Sequence, residues 1–167
     1  GVGIHGDGWL PQIKPLSNRF RCLSLDNRGI GSSQPMGVAL TVTQMVDDVA
    51  AVMDQQEWKS AHFVGHSLGG LIAQSFALNY PDRVESLALL CTFADGRSVA
   101  PLSLRMLWLG MRCSVGTIQM RRRGFLGLLY PPGHAVFKNP DPVAAELATV
   151  FGHDLGEQPA TVKHQLR

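Results

Sequence analysis

A chain of 167 residues, 45% hydrophobic and 17% charged, is one domain's worth of sequence with enough apolar material for a sizeable core. Its net charge of +2 offers no argument for a nucleic-acid partner, and no apolar run is long enough to span a bilayer. The three cysteines, Cys22, Cys91 and Cys113, lack C-x-x-C spacing, which points to reduced thiols and a cytoplasmic setting.

The chain opens in a strand-like stub, Val2 to His5, without an initiator methionine, so a preceding segment is expected. The loop Gly3-Ile4-His5-Gly6-Asp7-Gly8-Trp9 follows, and Trp9 should open a helix reaching Leu16. Phe20 to Leu25 reads as a buried strand, with Cys22 a small core residue, before a turn rich in Gly and Asp from Asp26 to Ser33. Thr41 and Gln44 have capping-box spacing, so a helix should begin at Val42, with Met45, Val46, Val49, Val52 and Met53 on one face. Ala61 to Val64 is a short strand. The helical pattern after it ends at Tyr80, because Pro81 disfavours helix in the residue before it. Val84 to Thr92 is the next strand. Its run from Leu87 to Cys91 fits a sheet buried on both faces. Strands alternating with helices predict an α/β fold, a parallel sheet flanked by helices.

Beyond Phe93 the pattern is helical. Helices are expected over Ala100–Met111, from Asp141-Pro142 (an N-cap followed by proline) to Phe151, and from Pro159 to Arg167, with a short apolar piece over Gly124–Tyr130. Arg121-Arg122-Arg123 reads as a solvated helix end.

Gly65-His66-Ser67-Leu68-Gly69, followed by Gly70, sits between the Ala61–Val64 strand and the next helix. A serine on such a sharp turn is lifted clear of the sheet, and glycines two before and two after it relieve clashes with strand and helix. Two further segments precede it in order: His5-Gly6, and Asp26-Asn27-Arg28-Gly29-Ile30-Gly31-Ser32-Ser33. Together they resemble the α/β-hydrolase superfamily, whose pattern is an H-G loop, then D-x-R-G-x-G-x-S, then G-H-S-x-G-G. The resemblance spans nearly the whole chain and is most specific up to Thr92. It implies a core over residues 1–95 and a helical cap, or lid, over 96–167.

The resemblance makes Ser67 the nucleophile of a serine hydrolase, without cofactor or metal, acting on a small-molecule ester, lactone or lipid-like acyl substrate. A serine hydroxyl needs a base to take its proton, and the family places the acid and the histidine after the cap. Both are therefore expected beyond Arg167. Asp95 is a possible acid, because a minority of relatives carry theirs after the corresponding strand. Asp26 reads as structural, anchoring the turn at Arg28 and Gly29. His5 is expected to brace its loop, and His62 and His66 to be structural. His134, His153 and His164 lie in no motif. Oxyanion-hole donors are expected from the backbone N–H groups of Leu68 and Asp7. A serine at this position argues against haloalkane dehalogenase or epoxide hydrolase chemistry, which needs an aspartate. Carbon–carbon bond hydrolysis, cofactor-free perhydrolysis and a non-catalytic binding role remain as alternatives.

Overall fold

The computed structural model describes residues 3–33, 40–95 and 104–157, which gather into two compact units: residues 40–95, and residues 3–33 with 104–157.

In the first unit, helix α2 (Val42–Gln55) begins where the capping box predicts. The Gln44 N–H donates to Thr41 Oγ1 at 3.2 Å, and the Thr41 N–H donates to Gln44 Oε1 at 3.0 Å. These bonds satisfy two donors that a helix start leaves without partners. Its buried face, Met45, Val46, Ala50 and Met53, packs on Leu68, Ile72 and Phe76 of helix α3 (Leu68–Asn79). Phe76 is fully enclosed, with its ring 4.7 Å from that of Phe63 and 4.9 Å from that of Tyr80. Burying a side chain of this size contributes roughly 2–3 kcal/mol. Strand β1 (Ala61–His66) lies parallel to strand β2 (Val84–Leu90), with Phe63 opposite Leu87 and His66 opposite Leu90. Between them runs α3, which ends at Tyr80 before Pro81, as the sequence predicts.

The sheet departs from expectation in its exposure. Val64 is 54% exposed, Leu89 41% and Leu90 44%, so β2 is not buried on both faces. Among the described residues the sheet has two strands. Helix α3 covers one face, and α2 packs against α3, with Ala61, Phe63 and Val84 of the strands bordering their shared core. Cys91 is likewise exposed at the strand end rather than a core residue.

The second unit corrects two expected strands. Among the described residues Gly3–His5 and Phe20–Leu25 form no ladder, and Phe20 and Leu23 are exposed; Val2 lies outside the described residues. A ladder needs a second strand in register, and apolar content in one segment does not specify it. A short 3-10 turn (Gly6–Trp9) leads into α1 (Leu10–Leu16), close to the predicted helix.

Helices α4 (Leu104–Ser114), α5 (Ile118–Leu129) and α6 (Pro140–Phe151) complete this unit, around a core of Leu126, Val136, Ala144 and Leu155. The apolar piece at Gly124 is the second half of α5, and Arg121–Arg123 lie inside that helix, not at its end. Helix α6 starts at Pro140 with Asn139 at the cap. Asp141 instead sits in the first turn, where its charge suits the helix dipole. The first residues of the Ala100–Met111 helix, the Pro159–Arg167 helix and His164 lie outside the described residues.

Arg122 is an ion-pair residue. Its Nε donates to Asp154 Oδ1 at 2.9 Å, a second nitrogen donates to Asp154 Oδ2, and Asp141 stands 3.8 Å away. The Arg122 hydrogen bonds hold the Asp154 carboxyl at about 2, down from 3.8. A carboxylate depressed in the folded state stabilises the fold above its unfolded pKa and loses that contribution as pH falls through the folded value. Asp154→Asn should therefore melt below the parent at neutral pH, with the gap closing between about pH 4 and pH 2. Thermal melts across that range check this. A gap that widens on acidification would contradict it.

Candidate active site

Ser67 stands at the junction of β1 and α3, half-buried, with φ 53° and ψ −122°. A non-glycine residue in this region stores roughly 1–3 kcal/mol of strain and persists only where its surroundings hold it. Here they do so from both sides. The Ser67 N–H donates to Leu90 O at 3.0 Å, at the end of β2. Its carbonyl accepts from Thr92 Oγ1 at 2.6 Å and from the N–H groups of Gly70 and Leu71 at 2.9 and 3.3 Å.

The close approach of strand and helix explains two glycines. A Cβ on Gly65 would lie 2.5 Å from the Gly69 carbonyl oxygen and 2.6 Å from Gly70 Cα. A Cβ on Gly70 would lie 2.5 Å from Thr92. The sequence pattern points to Gly65 and Gly69, but a Cβ on Gly69 meets nothing within 4 Å. The tight position is Gly70.

Leu68 is the first residue of α3, so its N–H has no carbonyl four residues back within the helix. Asp7 lies in the other unit, exposed in the Gly6–Trp9 turn, where its carbonyl accepts the Leu10 N–H. Asp95 is exposed in the loop after β2. Asp26 is structural, and its contacts reach both the following turn and the H-G loop. Its Oδ1 accepts the Gly6 N–H at 2.6 Å and its carbonyl accepts Ser33 Oγ at 2.8 Å, tying the H-G loop to the D-x-R-G-x-G-x-S turn.

Among the described residues, no histidine is hydrogen-bonded to Ser67. His62 is exposed, bonded to Ser86 Oγ at 2.9 Å and to Glu85 at 3.1 Å. His134 Nδ1 accepts the Val136 N–H, and His153 Nδ1 donates to the Asp154 carbonyl. The His5 ring lies against Gly152 at the end of α6. Burial lowers the pKa of His66, favouring its neutral form. No group of three His, Cys, Asp or Glu side chains is gathered as a metal site needs, again among the described residues.

Two residues of the junction have no signal in the sequence. Thr92 clamps the Ser67 carbonyl, and Gln74 Nε2 donates to Gly70 O at 3.1 Å and Phe93 O at 2.9 Å, joining α3 to the loop after β2. The bonds from Thr92 to Ser67 and from Gln74 to Phe93 join residues 25 and 19 apart, where local pattern is blind.

The family model of the alpha/beta hydrolase fold matches residues 1–109. The chain belongs to the α/β-hydrolase fold family. A protein named "Putative carbamate hydrolase RutD" from Caulobacter sp. (strain K31) is 40% identical over 91 residues, 54% of this chain and 34% of that protein. The dihydrolipoyllysine-residue acetyltransferase component of the acetoin cleaving system from Cupriavidus necator is 39% identical over 99 residues, 59% of this chain and 26% of that protein. Among solved structures, the enol-lactonase from Burkholderia xenovorans LB400 superposes with a TM-score of 0.71 at 25% identity, over 99% of this chain and 60% of that one. A hydrolase from Pseudomonas aeruginosa PA01 gives 0.70 at 28% identity, over 98% and 60%. The alignments thus take in about a quarter to a third of the length of these curated relatives and about three-fifths of the solved ones. No helix among the described residues is long and apolar enough to cross a membrane.

Proposed function

We propose that this α/β-hydrolase chain carries the nucleophile of a serine hydrolase acting on small ester, lactone or lipid-like acyl substrates. The observation that supports this best is the Ser67 backbone, strained and clamped between the end of β2 and the first turn of α3. Strain held at a strand-to-helix junction suits a hydroxyl that must meet a substrate rather than fill a core. The likeness to an enol-lactonase agrees with a carbonyl carbon bearing a heteroatom leaving group.

In this reading Ser67 Oγ attacks the substrate carbonyl while a histidine takes its proton. The carbonyl oxygen becomes an oxyanion, which accepts a hydrogen bond from the Leu68 N–H at the positive end of α3. The second donor is assigned to the Asp7 N–H on the family pattern alone. The leaving group departs with the proton, and water then releases the acyl group from Ser67 by the same steps. Residues 1–95 serve as catalytic core and 96–167 as cap. The histidine and acid are assigned to chain outside these 167 residues, with Asp95 as the candidate acid inside them.

A covalent acyl-enzyme makes a specific demand. With methanol present, the full open reading frame encoding these residues should partition p-nitrophenyl butyrate and phenyl butyrate into methyl ester and acid in one ratio, because both pass through the same intermediate. A ratio that changes with the leaving group would mean direct attack by water and would sink the proposal.

A further inference from the structure

We propose that the α4–α5 hairpin docks on an anionic lipid surface. The inference does not depend on the chemistry of Ser67. Its first basis is an exposed apolar stripe. Leu104, Trp108, Met111 and Val115 are 86%, 50%, 57% and 64% exposed. They are spaced four, three and four apart, and at about 100° per residue they fall within a band of about 60° on one side of α4. Val115 prolongs the helical turn, since its N–H donates to Met111 O at 3.0 Å. The stripe is distinct from the packed side of α4. Leu109 and Cys113 are buried on the opposite side, and a Cβ on Gly127 of α5 would touch Leu109. Among the described residues the helix packs one face on its neighbour and leaves a second apolar face exposed.

The second basis is charge. Residues 96–139 contain seven Lys and Arg and no Asp or Glu, whereas the rest of the chain carries a net −5. Arg112 flanks the stripe with its guanidinium 4.7 Å over the Trp108 ring, and Arg123 projects from α5 with Nη2 on Phe137 O at 2.8 Å. Both line one shallow groove with Trp108 and Tyr130. Only Arg122 of the run in α5 is committed to carboxylates among the described residues. An apolar stripe bordered by unneutralised guanidinium groups and amphipathic aromatic rings matches the boundary between headgroups and acyl chains of an anionic bilayer. At 11 residues α4 is too short to span, so it would lie in the plane of the interface.

Vesicle flotation tests this with the full open reading frame that encodes these residues. Vesicles of phosphatidylcholine with about 30% phosphatidylglycerol should carry the protein, pure phosphatidylcholine should not, and added salt should release it. Arg112→Gln with Arg123→Gln should weaken partitioning about 25-fold, and Leu104→Ser with Met111→Ser by at least about tenfold. Brominated phosphatidylglycerol should quench the tryptophan emission of the parent, and Trp108→Phe should abolish most of that quenching. Failure to bind the anionic vesicles overturns the proposal. So does equal binding to neutral ones, binding unchanged in both variants, or self-association through the stripe that leaves vesicles free.

Discussion

Residues 1–167 alone should turn over p-nitrophenyl butyrate about a million-fold more slowly than the full open reading frame that encodes them. Loss of the general base costs on this order in serine hydrolases, because the hydroxyl is then a poor nucleophile at neutral pH. Each described histidine is engaged elsewhere or lies off the junction: His62 on Glu85 and Ser86, His134 at a short helix start, His153 on its neighbouring carbonyl, and His5 against Gly152. His66 adjoins the nucleophile in sequence, yet no hydrogen bond links its ring to Ser67 among the described residues. What remains is the donor at the helix start, which supports a residual acceleration of about a thousandfold over water. Matched assays on the two proteins, with Ser67→Ala as the blank, measure the gap. Turnover within tenfold of the longer protein would place the base inside these residues and overturn the assignment of the histidine.

Gly65→Ala should destabilise the chain by about 3 kcal/mol, whereas Gly69→Ala should change stability by less than about 1 kcal/mol. The atoms a Cβ on Gly65 would strike are backbone atoms of Gly69 and Gly70, which no rotamer change moves aside. Accommodating them means pushing the first turn of α3 away from β1. That turn holds the Ser67 carbonyl, so the shift would also move the hydroxyl, and a displacement of about 1 Å costs roughly a hundredfold in rate. At Gly69 the space is open, and alanine favours helix. Urea midpoints for the two variants decide the matter. A Gly65→Ala protein as stable as the parent would show that strand and helix do not approach as closely as described.

The contrast between these glycines shows what the sequence can and cannot convey. The elbow is legible because its constraints are local: Gly65, Ser67 and Gly70 occur within six residues, between a strand and a helix that periodicity also finds. The capping box at Thr41 and the stop at Tyr80 are legible for the same reason. Phe20–Leu25 misleads because pairing is a property of two segments, and its composition speaks for one. The Asp26 side chain is legible in part: it lies against the following turn at Gly31, while its bond to the Gly6 N–H, 20 residues earlier, has no local signal. Arg121–Arg123 read as a helix end because cations suit a helix C-terminus. The ion pair that explains Arg122 lies 32 residues away at Asp154. Thr92 is silent, since only the folded chain brings its hydroxyl to the Ser67 carbonyl.

Whether Ser67 reacts is settled by treating the full open reading frame with a fluorophosphonate and locating the adduct by peptide mass spectrometry. One equivalent of label on the peptide containing Ser67, and none in Ser67→Ala, is the predicted result. Label on another residue, or equal labelling of the Ser67→Ala protein, would contradict it.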